Sequence, residues 1–200
     1  GGAVMDEVLY KLLKDLTRKV SKEKGVPPYA VFQEPSLNEM AFNYPTTLDE
    51  MKNISGVGEG KAKKFGKPFV EMIAKYVEEN DIEKPDDFVV KSVVNKSGLK
   101  VYIIQNTDRK LPLEDIANSK GISIDDLLTE IEHIVNSGTK VNIDYYIEGL
   151  LDEDQIEEIT EYFMESDTDD LKVAHAEFDG DYDEEELRLV RLKFMSDVAN

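Results

Sequence analysis

Hydrophobic positions recur at helical spacing along most of the chain. Leu9, Leu12, Leu13, Leu16 and Val20 fall on one helix face, while Lys11, Lys14, Arg18, Lys19 and Lys22 occupy the other. Gly25 ends this helix and Pro27-Pro28 prevents its restart, since proline lacks the amide a continuing helix needs. Short helices are predicted near 36–43, capped by Ser36, and near 47–52, capped by Thr46 or Thr47. A longer helix starting near Glu59 turns Phe65, Phe69, Met72, Ile73, Tyr76 and Val77 toward a core.

The pattern lapses over 80–88, a polar stretch with Pro85 and no periodicity, which reads as a linker. Val89 to Ile104 is ambiguous. Its β-branched residues suit strands around Ser97-Gly98, yet Leu99, Tyr102 and Ile103 also share a helix face, and helix is preferred after Ser97. A helix-turn-helix pattern follows, with Pro112 to Ser119 as one helix, Gly121 as the turn and Ser123 as the N-cap of the next. Leu127, Leu128, Ile131, Ile134 and Val135 line that second helix, and Gly138 closes it. Two more helices are predicted, one from Asp152 with Ile156, Ile159 and Phe163 inward and one from Asp183 to Val198. The expected fold is all-α: a helical bundle over 1–80, a linker over 81–96 and a second small helical domain over 97–200.

Charge divides the chain unevenly. The net charge of −19 argues against nucleic acid if spread evenly, but it is not. Residues 1–80 hold 12 Lys/Arg and 12 Asp/Glu, whereas residues 111–200 hold 6 against 26. DNA affinity comes largely from neutralised phosphates, so only the first part suits that partner and the second would repel it. The exposed positions of the second helix-turn-helix helix include Asp125, Asp126, Glu130 and Glu132, a poor face for a DNA groove. The absence of cysteine excludes a disulfide framework, thiol catalysis and a Cys-based zinc site. The longest apolar run, Val101 to Ile104, is far short of a membrane span, and no signal peptide is visible. Gly1-Gly2-Ala3 lacks an initiating Met and reads as a cloning remnant, which points to a piece of a longer protein.

Candidate chemistry concentrates in Ile54-Ser55-Gly56-Val57-Gly58-Glu59-Gly60-Lys61-Ala62-Lys63-Lys64-Phe65-Gly66-Lys67-Pro68-Phe69. The glycines allow a tight turn and a close backbone approach. The helix start beyond them, rich in lysine, suits phosphate oxygens and reads no base sequence. The plain alternative is a helical corner with solvated lysines. A P-loop is excluded because three residues separate Gly56 from Gly60 and Ala62 follows Lys61; a dinucleotide fingerprint is excluded because no strand precedes Gly56. Asp179 to Asp183 starts like a calcium loop but has Glu184 at its sixth position and Val190 at its twelfth. His133 and His175 have no ligand companion in sequence, so no metal site is expected.

Several segments together carry a family likeness: Gly25-Val26-Pro27-Pro28-Tyr29-Ala30-Val31-Phe32, Leu37-Asn38-Glu39-Met40-Ala41, Tyr44 to Met51 and the glycine hairpin. In order and spacing they resemble the HRDC domain, the helicase-and-RNase-D C-terminal module, over roughly residues 6 to 79. The RecQ DNA helicases look nearest. Glu114-Asp115-Ile116-Ala117, Ser137-Gly138-Thr139-Lys140 and Leu187 to Asn200 resemble the helical tail of some bacterial RecQ proteins. The resemblance implies a five-helix bundle that binds single-stranded or junction DNA and tunes which structures a helicase motor engages in repair and recombination. Its binding surface carries over as Tyr29, Gly56, Gly58, Lys61, Lys63, Lys64 and Lys67, where Tyr29 would stack a base or close the bundle. No catalytic residue is implied; ATP and Mg would belong to a motor whose motifs this chain lacks. The neutral charge of residues 1–80 departs from strongly basic members and implies weak binding. The resemblance places the protein in the bacterial cytoplasm, at the nucleoid. Two other readings stand beside this one. In the first, the acidic half docks on a basic surface, on the parent's own motor or another protein. In the second, the chain is the HRDC region of an RNase D-type ribonuclease.

An all-helical chain with a break at 81–96 gives a helix-dominated circular dichroism spectrum, and limited proteolysis releases a stable fragment ending close to Asn80. Cleavage scattered through 1–79 is the contrary outcome.

Overall fold

The structure is a computed structural model that describes residues 4–85 and 96–198. Among these residues every regular element is a helix. Residues 86–95, which hold most of the predicted linker and the start of the ambiguous segment, lie outside them. The rest of that segment is helical from Lys96. The chain divides into two compact units, one centred on residues before 86 and one on residues after 95.

Five helices build the first unit: α1 (Glu7–Lys24), α2 (Pro28–Val31), α3 (Glu34–Asn43), α4 (Leu48–Met51) and α5 (Glu59–Glu79). Asp6 caps α1 by accepting from the Leu9 amide at 3.0 Å, and Gly25 ends it in the left-handed region at φ 67°. That carboxylate also accepts from the Tyr44 hydroxyl at 3.1 Å and the Tyr76 hydroxyl at 3.0 Å, tying the start of α1 to the end of α3 and the last turns of α5. Thr47 caps α4, accepting from the Glu50 amide at 3.2 Å.

Ser36 is not the cap of α3. The helix starts two residues earlier, with Gln33 at the cap position and Pro35 in its first turn, and Ser36 is buried. Its hydroxyl donates to the Ser55 carbonyl at 2.6 Å and so holds the glycine hairpin. The core is built from Leu9, Leu13 and Val20 of α1, Met40 of α3, Met51 of α4 and Phe65, Phe69 and Ile73 of α5. Phe32, in the α2–α3 connection, meets Phe69 edge-on with ring centroids 4.7 Å apart, and Phe65 at 6.2 Å.

The second unit contains α6 (Lys96–Asp108), α7 (Leu113–Lys120), α8 (Ile124–Asn136), α9 (Asp144–Ile147), α10 (Glu153–Glu165), α11 (Leu171–Glu177) and α12 (Glu184–Val198). The helix-turn-helix is α7, a left-handed turn at Gly121 and α8, and Ser123 accepts from the Asp126 amide at 3.0 Å. Asp152 and Gln155 form a reciprocal cap at the start of α10, as Asp183 and Glu186 do at α12. The short helices α9 and α11 carry too few residues to show a period, and sequence periodicity did not mark them. Ile131 and Val135 of α8, Ile159 and Phe163 of α10, and Leu187, Val190 and Phe194 of α12 are all buried.

One backbone constraint lies in the hairpin. Gly56 adopts φ 78°, and a Cβ there would come within 2.8 Å of Ser36 Oγ. Gly56→Ala therefore strains the backbone and displaces the hydroxyl that holds Ser55. A loss of roughly 1–2 kcal/mol is expected in urea unfolding of the full chain. A change within a few tenths of that scale would show that the turn relaxes at no cost.

Candidate nucleic-acid interface

The hairpin between α4 and α5 is anchored from below. Ile54 and Val57 are buried, the Val57 amide donates to the Ile54 carbonyl at 3.0 Å, and the Ser55 amide donates to Glu39 Oε2 at 3.1 Å. Gly58 then caps α5 without a side-chain acceptor. Glu59 takes the first helical position, where a carboxylate is favoured by the positive end of the helix dipole. It pairs with Lys63 at 3.1 Å and approaches Lys52 at 4.0 Å, and these lysines, Lys63 foremost, lower its pKa. The start of α5 thus already carries a negative group of its own.

The period of α5 sorts its lysines. Lys61, Phe65 and Phe69 are spaced by four, so they share a face, and burying the two rings takes the lysine inward with them. Lys61 is 1 % exposed, and its ammonium stands 6.0 Å from the centre of the Phe32 ring. Burial, with a smaller contribution from Lys64, pushes its pKa down to about 8. This corrects the expected surface placement of Lys61. The signal was present in its four-residue spacing from two core phenylalanines. Tyr29 lies in α2 and is 8 % exposed, which leaves little of its ring for stacking and suits the second of its two expected roles, closing the bundle.

Lys63, Lys64 and Lys67 are exposed. The Lys64 ammonium lies 5.5 Å from the Phe65 ring centre, and burial followed by the charge of Lys24 lowers its pKa. Lys24, in the last turn of α1, therefore stands close to Lys64 across the bundle. Lys24 and Lys67 are exposed and form no ion pair among the described residues. Part of the α1 basic face is neutralised, since Lys14 pairs with Glu34 at 3.2 Å and Arg18 with Asp15 at 4.0 Å. The structure brings Lys24 beside Lys64, and Lys67 follows Lys64 by three residues, one turn further along α5. Sequence reasoning missed Lys24, because its nearness to α5 depends on how the two helices pack.

In the second unit, the acidic residues of α8 are not all open to solvent. Arg188 of α12 donates to Asp125 at 2.6 Å, Glu132 at 2.7 Å and Thr129 at 2.9 Å, while Arg191 donates to Glu132 at 2.9 Å and the Asp169 carbonyl at 2.6 Å. Two of the four acidic residues expected on the groove-facing side, Asp125 and Glu132, are thus held to α12.

Comparison with known proteins agrees with this architecture. Residues 6–73 match the HRDC domain, and residues 97–147 match the RecQ-1-like helix-turn-helix domain. The chain carries an HRDC domain followed by a RecQ-1-like helix-turn-helix domain. It is 38 % identical over 76 residues to the ATP-dependent DNA helicase RecQ of Haemophilus influenzae, and 36 % over 76 residues to that of Bacillus subtilis. These stretches are 38 % of this chain but 12 % and 13 % of the two helicases, so the chain matches about an eighth of their length. The bifunctional 3'-5' exonuclease/ATP-dependent helicase WRN of Mus musculus is 27 % identical over 126 residues, 56 % of this chain and 9 % of that protein. The HRDC match covers the five-helix unit almost to the end of α5, and the second match runs from α6 to α9. Among the described residues no helix is long and apolar enough to cross a membrane.

The buried Lys61 makes HRDC stability depend on pH in a defined direction. Its folded pKa of about 8 lies below the ordinary 10.5, so between those values the unfolded chain binds more protons and stability rises with pH. Lys61→Met removes a buried charge of similar length. It is expected to stabilise the chain by roughly 1–3 kcal/mol at pH 7, with the gain fading toward pH 10.5. An equal difference between the two proteins at every pH would contradict the burial of a titrating ammonium.

Proposed function

We propose that this chain is the auxiliary C-terminal DNA-binding region of a RecQ-type DNA helicase. Its HRDC domain grips single-stranded or junction DNA weakly and steers which structures the motor engages in repair and recombination. The observation that carries this reading is the cluster of Lys64, Lys67 and Lys24. There like charges stand together on an exposed face, close enough for Lys24 to depress the pKa of Lys64. Backbone phosphates relieve such repulsion, and lysines act on them as point charges without reading bases. The glycine hairpin positions this face through its anchoring by Ser36 and Ile54, with Gly56 and Gly58 acting on the backbone path. Lys63, paired with Glu59, contributes less.

Weak binding follows from the overall neutrality of residues 1–80. The helix-turn-helix domain takes no phosphate contact in this reading, because its part of the chain is strongly acidic and its second helix is held by Arg188. ATP and Mg belong to the motor of the longer protein, whose place is at the bacterial nucleoid. The names of the relatives favour a helicase parent over an RNase D-type ribonuclease.

Titration of the full chain against a labelled single strand is the test. With about three phosphates neutralised, log affinity falls against log salt with a slope of roughly −2. Lys64→Gln, Lys67→Gln and Lys24→Gln each weaken binding to every sequence alike and flatten that slope by about 0.7. Affinity unchanged in all three variants would remove the DNA-binding reading.

A further inference from the structure

Within the second unit, α8, α11 and α12 enclose a cleft of about 410 Å³. Its apolar lining comes from Ile124 and Leu128 of α8 and Leu171 of α11. Leu128 is buried, while the other two are half-exposed and form the open part of the surface. Glu184 and Glu185, in the first turn of α12, stand at its rim; both are exposed, and neither forms an ion pair among the described residues. The cationic groups of the cleft are already engaged. Arg188 and Arg191 are largely buried and direct their donors at Asp125, Glu132 and the Asp169 carbonyl. With four carboxylates against two guanidiniums among the lining groups, the cleft carries an excess of negative charge centred on its rim.

We propose that this cleft is a docking site for a basic, apolar segment of a partner protein. That segment is one carrying a leucine-like side chain with lysine or arginine close by. The volume admits a large aliphatic side chain together with parts of its neighbours. Apolar lining supplies the burial, and Glu184 and Glu185 supply partners that a cation meets at the rim. The charge of the surrounding chain selects the same occupant, since residues 111–200 hold 26 Asp/Glu against 6 Lys/Arg. A nucleic acid or an anionic membrane would be repelled by that field. The arrangement also explains the bridging role of Arg188. By binding Asp125 and Glu132 it fixes α8 against α12 and leaves the unpaired carboxylates at one end of the cleft. This contact is separate from DNA binding by the HRDC domain, and neither depends on the other.

The probe is a fluorescein-labelled peptide, Lys-Lys-Leu-Leu-Arg-Lys, titrated against the full chain by fluorescence anisotropy, with amide chemical shifts mapping its position. Saturable binding that perturbs the amides of α8, α11 and α12 is expected, weakening as salt rises. Replacing both leucines of the peptide by alanine weakens binding about tenfold, as does Glu184→Gln combined with Glu185→Gln. Both glutamates are surface residues, so a melting temperature near that of the parent confirms that the double variant is folded. Ile124→Ala provides an apolar counterpart, expected to weaken binding several-fold. Equal affinity for the alanine peptide would reduce the contact to diffuse charge attraction and overturn the cleft. Unchanged binding by the folded double variant, or no binding of the leucine peptide, would do the same.

Discussion

The inward packing of Phe65 and Phe69 against Phe32 is the constraint on which the first unit turns. Two rings four residues apart commit one face of α5 to the core, and 3.6 residues per turn then decide the fate of every neighbour. Lys61 goes inside with them, Gly66 lets Leu48 of α4 approach closely, and Lys63 and Lys67 point away. A run that reads as four equivalent lysines becomes one buried amine, one partner of Glu59 and two outward charges. The surface chemistry is thus a by-product of how an apolar face is buried.

A second organising interaction lies in the helix-turn-helix unit. Arg188 reaches three residues of α8 spaced at positions 125, 129 and 132, one stripe along the helix. A planar guanidinium with several donors can satisfy two carboxylates and a hydroxyl together, which a lysine could not do with the same geometry. The acidity of α8 is therefore partly structural. It holds α12 in place and is only partly displayed to solvent, whereas Glu184 and Glu185 remain available.

These two arrangements divide the work along the chain. In the proposed reading, a neutral HRDC domain with a small lysine cluster makes a DNA contact that forms and breaks readily. The strongly acidic residues 111–200 repel phosphate, and the partner segment proposed for the cleft between α8, α11 and α12 carries the opposite charge. Charge segregation along the sequence thus assigns the two proposed contacts to different parts of the chain.

Amphipathic periods in the amino-acid sequence alone located α1, α5, α8 and α10, and local cap chemistry placed Ser123 and narrowed the cap of α4 to Thr46 or Thr47, because both depend only on residues within a few positions of each other. A tight turn at the glycine hairpin and the helix-turn-helix order were legible for the same reason. Tertiary structure alone decided what depends on contacts between distant segments. Ser36 left the cap position to hold Ser55, Tyr29 went into the bundle, Lys24 came beside Lys64, and Arg188 paired across to Asp125 and Glu132. Helices α9 and α11 escaped notice because four and seven residues are too few to display a period. The spacing of Lys61 from two core phenylalanines already marked it as inward. Only the packed bundle shows that no route to solvent is left for its charge.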